Sequence, residues 1–127
     1  MPISKSNFRP GVVLYLDARM LANDPGTTCS VARHLQPMKG HFFVCIKAGT
    51  WVPVYSRPGP GRIELDSTEK GGHIKWTTGK SHYHTQQYWT ASDDAVALAQ
   101  HRDHSSDNEV NTVTQDAVTT MIAKLGL

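Results

Sequence analysis

The chain has 127 residues, 39% of them hydrophobic and 19% charged, with a formal net charge of +2. That is enough for one buried core and too apolar for wholesale disorder, while the charge is too small to argue for nucleic acid by itself. No run approaches the ~18 apolar residues of a membrane span, the opening MPISKSNFRPG lacks an apolar leader segment, and two cysteines make no disulfide framework, so a cytoplasmic protein without a membrane partner is expected.

Arg9-Pro10-Gly11 is a turn signal that launches Val12 to Asp17 as a first strand, apolar on both faces for most of its length. Between Ala18 and Gly40 periodicity fades. Asn23-Asp24-Pro25-Gly26 and Gln36-Pro37 break it, which predicts a long connection with at most a short helical turn around Arg19 to Ala22 or Ser30 to Leu35.

The organising stretch is His41 to Ser56, HFFVCIKAGTWVPVYS: two apolar, β-prone runs around the turn Lys47-Ala48-Gly49-Thr50, hence a β-hairpin. Neither run alternates with polar residues, so both faces are expected to be covered, as in the wall of a small barrel. Pro53 lacks a ladder donor and is expected at a bulge or an edge. Cys45 reads as core, and Cys29 has no assigned role.

Arg57 to Gly61 forms a rigid turn, Arg62 to Leu65 a short strand against the preceding one, and Gln87 to Thr90 a last strand. Ser92 with Asp93 and Asp94 starts a helix over about 92–101, followed by a polar linker over about 102–111. A C-terminal helix over about 112–125 has Thr112 and Gln115 at capping-box spacing, Val113, Ala117, Val118, Met121, Ile122 and Leu125 on one face, and Gly126 as its stop. That face packs on the barrel or on a second copy of the chain as a homodimer. The expected fold is one mainly β domain, with the barrel over about 9–91 and two C-terminal helices.

Three groups of residues carry candidate chemistry. Hairpin geometry gathers His41 with Ser56, Arg57 and Arg62, the residue types that a metal-free ribonuclease needs for proton transfer and for charge on phosphorus. The bland alternative is a histidine ending a strand beside solvated arginines. His82 and His84 would share one strand face, which permits metal ligation only if a third ligand converges, and no carboxylate or cysteine has ligand spacing with them. Surface histidines without metal are therefore expected there, as at His73, His101 and His104. Lastly, Lys75, Trp76, Lys80, His82, Tyr83 and His84 interleave flat rings with cations, as a single-stranded nucleic-acid platform does; the competing place for Trp76 and Trp89 is the core. The seven histidines could raise the net charge of +2 to +9, so affinity for a polyanion should rise as pH falls through roughly 6.5.

The order of parts resembles the PemK/MazF family of toxin endoribonucleases over about residues 9–100. The stretches that carry the resemblance are Arg9-Pro10-Gly11-Val12-Val13, His41 to Ile46, Val52-Pro53-Val54-Tyr55-Ser56, and Gln86-Gln87-Tyr88-Trp89-Thr90 leading to Ser92 and its helix. The resemblance implies an SH3-like barrel, cleavage of single-stranded RNA by 2′-hydroxyl attack without a cofactor or metal, and an antitoxin or other protein partner. The chain departs from it in carrying Gly40-His41 where the family has Arg-Pro, and Tyr55 before Ser56 where it has an active-site Thr. His41 would then supply acid–base function, with Arg57 or Arg62 stabilising charge. The alternative is a non-catalytic barrel that binds nucleic acid or a protein.

Overall fold

The structure, a computed structural model, describes residues 3–100 and 109–127. In chain order it contains β1 (Val12–Asp17), α1 (Ala18–Asn23), β2 (Thr28–Cys29), β3 (Gly40–Lys47), β4 (Thr50–Tyr55), β5 (Arg62–Glu64), β6 (Lys70–Gly71), α2 (Ile74–Thr77), β7 (His82–His84), β8 (Trp89–Thr90), α3 (Asp93–Ala99), β9 (Asn111–Val113) and α4 (Gln115–Leu125). The fold is mainly β, and every strand pairing is antiparallel.

The strand order is β2-β8-β4-β3-β1-β9-β6, with β7 bridging β4 and β5. This is an open sheet, not the closed barrel expected from the sequence. Its end strands β2 and β6 are two residues long and do not pair with each other.

Strand periodicity explains why the hairpin runs are apolar throughout. Val12, Leu14 and Leu16 of β1, Phe43 and Cys45 of β3, and Trp51 of β4 enter one buried cluster with Val96 and Ala99 of α3. The alternate residues Val13, Val44, Ile46, Val52 and Val54 enter a second cluster with Ala117, Val118 and Met121 of α4. Helices, more than further strands, cover the two faces.

Pro53 pairs with Phe43 inside the ladder. On its other side β4 changes partner: Thr50 and Trp51 pair with β8, Val54 and Tyr55 with β7. A residue without a backbone donor falls where neither neighbour needs one. The bulge lies nearer the turn, in β3 between Cys45 and Lys47 opposite Trp51 and Thr50, and not at Pro53 as expected from the sequence.

Several boundaries differ from the sequence expectations. The strand at Arg62 pairs with β7, through Arg62↔His84, Ile63↔Tyr83 and Glu64↔His82, and not with the preceding strand, because β7 is inserted between them. β8 is not the last strand, since Asn111–Val113 pairs with both β1 and β6. This draws Thr112 and Val113 into the sheet, so Thr114, whose hydroxyl accepts from Ala117 N at 3.2 Å, caps α4 instead of Thr112. Most of the anticipated linker, with His104, and the last residue of the helix anticipated before it, His101, lie outside the described residues.

Other signals hold. Ser92 caps α3, accepting from Ala95 N at 3.1 Å, and Gly126 ends α4 with φ +73°. Within the anticipated long connection lie α1, capped by the Asp17 carboxylate at 3.0 Å from Met20 N, and the short β2, which no sequence pattern marked. Met121 is fully buried within its own chain, so the apolar face of α4 is occupied internally. No helix among the described residues is long and apolar enough to cross a membrane.

Candidate functional site

The register Phe43↔Pro53 carries the hairpin two residues further, to His41 opposite Tyr55, whose rings stand 5.3 Å apart at 60°. His41 Nδ1 lies 3.3 Å from the carbonyl oxygen of Val54. A carbonyl only accepts, so Nδ1 carries the hydrogen and Nε2 is left as the basic nitrogen. Burial pushes the His41 pKa below its usual 6.5, opposed by the Val54 bond and reinforced by nearby Arg62. The result is a half-buried, oriented and neutral imidazole.

Arg62 stacks over the other side of this arrangement, its guanidinium carbon 3.9 Å from the Tyr55 ring centroid. One of its nitrogens donates to the carbonyl of Arg57 at 3.1 Å. Arg57 thus acts here through its backbone. Its side chain is exposed and lines neither of the grooves described next.

Tyr55 is shared by two grooves. The smaller, of about 290 Å³, is lined by His41, Ser56, Lys75, Lys80 and an edge of Trp76. The larger, of about 450 Å³, is lined by Arg62, His84, Gln86 and Gln87 together with Leu35 and Pro58. No acidic residue lines either groove among the described residues. Two stretches that the sequence presents separately, the hairpin ends and the Lys75–Lys80 segment, therefore meet on one cationic surface.

Three residues of the anticipated stacking platform are instead structural. Trp76 is 1% exposed; its ring packs 5.0 Å from Phe42 and its Nε1 donates to Thr112 O at 3.0 Å. Tyr83 is 1% and His82 4% exposed, because β7 is enclosed by β4 and β5. His82 Nδ1 meets Tyr55 O at 3.3 Å and its Nε2 meets Glu64 at 3.5 Å. His84 remains half-buried in the larger groove, apart from any group of three His, Cys, Asp or Glu able to hold a metal among the described residues.

Two contributors were not among the site residues expected from the sequence. Lys70 reaches under the wall of the smaller groove, where Nζ donates to Trp76 O at 3.2 Å, Gly79 O at 2.7 Å and Ser81 Oγ at 2.7 Å. It also sits 4.4 Å above the Trp76 ring. Gln87, 3% exposed, joins Tyr55 to the core: Trp89 Nε1 donates to its Oε1 at 2.9 Å, and its Nε2 donates to Tyr55 Oη at 2.8 Å. A polar residue two positions before a core tryptophan is the only trace of this in the sequence.

Comparison with protein-family models, with curated proteins and with solved structures gives no match for this chain.

Proposed function

We propose that the chain is a metal-independent endoribonuclease acting on single-stranded RNA, bound along the cationic grooves on either side of Tyr55. The observation that carries this reading is the His41 imidazole, held by the Val54 carbonyl as a neutral base in a groove with Lys75 and Lys80 and, among the described residues, no carboxylate. A neutral imidazole with Nε2 free suits removal of the 2′-hydroxyl proton. The 2′-oxygen then bonds to phosphorus as the 5′-oxygen leaves with a proton from solvent, giving a 2′,3′-cyclic phosphate. Arg62, beside Tyr55, would offset the charge that develops on the phosphoryl oxygens. The reading keeps the PemK/MazF-like order of parts, an SH3-like frame, a cytoplasmic setting and an antitoxin-like protein partner as elements of the proposal.

The test uses paired oligonucleotides in excess EDTA, one all-ribose and one with 2′-deoxy sugars. Attack by the 2′-hydroxyl predicts cyclic phosphate ends from the first and an intact second strand. Cleavage of both would refute the mechanism.

One observation favours a second reading, retention of RNA without cleavage. Among the described residues the smaller groove holds a single imidazole and no carboxylate, so the base has no second histidine or carboxyl group beside it to act as the general acid. Under that reading both strands stay intact. Binding would still fall with salt, at a slope of roughly −2 if Lys75, Lys80 and Arg62 each meet a phosphate.

A further inference from the structure

The larger groove has a polarity that follows from three hydrogen-bond directions. The indole N–H of Trp89 can only donate, so the Gln87 atom facing it at 2.9 Å is the oxygen, and the Gln87 nitrogen faces Tyr55 at 2.8 Å. Tyr55 Oη therefore accepts from Gln87, and its own hydrogen is left to donate elsewhere. The backbone N–H of Gln86 donates to His84 Nδ1 at 3.1 Å, so in the neutral ring the hydrogen sits on Nε2. Arg62 has only donors, one of which is used on Arg57 O.

Tyr55, Arg62 and His84 line the same groove, and each presents a donor. No carboxylate accompanies them among the described residues. A site made of donors is matched by a ligand made of acceptors. Arg62 is held over the Tyr55 ring, 3.9 Å from its centroid, while the buried Gln87–Trp89 pair fixes the phenol.

We propose that the larger groove is a phosphate-binding subsite in which Tyr55 Oη, preset as a donor by Gln87 and Trp89, hydrogen-bonds a phosphoryl oxygen alongside Arg62 and His84. The site deepens the RNA reading by assigning one backbone phosphate to it, and rests on that reading only for the source of the phosphate. Free phosphate and the phosphate of a strand share the chemistry.

The relay makes an uncommon prediction. Gln87→Glu keeps the shape but replaces the amide donor by an acceptor, so the Tyr55 hydrogen turns inward to the carboxylate and the groove loses its donor. Tyr55→Phe loses the same hydrogen while keeping the ring that His41 and Arg62 pack on. The experiment is a titration with inorganic phosphate, followed by the side-chain resonances of Arg62 Nε and Trp89 Nε1, with a single-stranded oligoribonucleotide in a parallel arm. Saturable shifts are expected in the wild type, with affinity weakened about tenfold in Tyr55→Phe, the scale of one hydrogen bond to a charged group. A folded Gln87→Glu should match it; should that variant fail to fold, Tyr55→Phe decides alone. Equal phosphate affinity in wild type and Tyr55→Phe, or no shift in either, overturns the subsite even if RNA is retained. A phosphate response that depends on Tyr55, with no RNA retention, supports the subsite and removes the RNA reading instead.

Discussion

Lys70→Met isolates the contribution of one cation to the wall of the smaller groove. Methionine keeps most of the aliphatic stem and removes the ammonium that holds Trp76 O, Gly79 O and Ser81 Oγ. Each such bond to a charged donor is worth roughly 1.5–3 kcal/mol, and the contact with the Trp76 ring adds roughly 0.5–1 kcal/mol. The sum overstates the effect for two reasons. Burial lowers the Lys70 pKa, so desolvation offsets part of the gain, and the bond to Gly79 lies at the exposed surface, where water substitutes. We expect a net loss of about 2 kcal/mol, which at a urea slope of about 2 kcal/mol per M lowers the unfolding midpoint by about 1 M. Lys80 lies between two of the anchored residues, so the salt slope of RNA retention should also fall in magnitude by about 0.7, one phosphate contact. Lys70 itself does not line the groove. An unchanged midpoint together with an unchanged slope would refute this account of the wall.

Further outcomes follow from burial and charge. Met121→Ala should cost about 2–5 kcal/mol in urea unfolding, as expected for a fully buried side chain, and Met121→Lys should unfold the chain and not merely dissociate a dimer; a folded, monomeric Met121→Lys would contradict the packing of α4. Because burial lowers the His41 pKa below 6.5, the unfolded chain binds a proton there that the native chain refuses, so the stability contributed by neutral His41 is present above about 6.5 and lost as pH falls through the native value. Urea midpoints of wild type and His41→Gln should therefore converge or cross as pH falls below 6.5, and a constant gap would argue against a buried neutral ring. The acid limb of RNA cleavage should likewise inflect below 6.5, so the rise in polyanion affinity expected near that pH from the histidine content does not extend to His41.

The hairpin was legible because both of its runs are apolar on both faces, and two buried clusters do cover them. Closure was not legible. It depends on which edges pair, and β4 divides its outer edge between β8 and β7, whose paired residues lie 27 to 40 positions further along the chain. The cap of α4 was misplaced by two residues because Thr112 and Thr114 are chemically equivalent, and only pairing with β1 and β6 assigns Thr112 to a strand. His41 and its opposite neighbour could be found from register alone. Trp76 could not be assigned, since two of its neighbours, Phe42 and Thr112, come from segments more than thirty residues away and only Lys70 is local. Tyr55 and Gln87, 32 residues apart, share a hydrogen bond that no local pattern announces.

The most direct measurement is cleavage of a long single-stranded RNA by the purified chain in excess EDTA, with His41→Ala alongside it. Discrete fragments from the wild type and intact RNA from the variant, with its fold retained by circular dichroism, are the predicted result. Intact RNA in both lanes, or equal cleavage by both, would contradict the claim that His41 is the base of a metal-free ribonuclease.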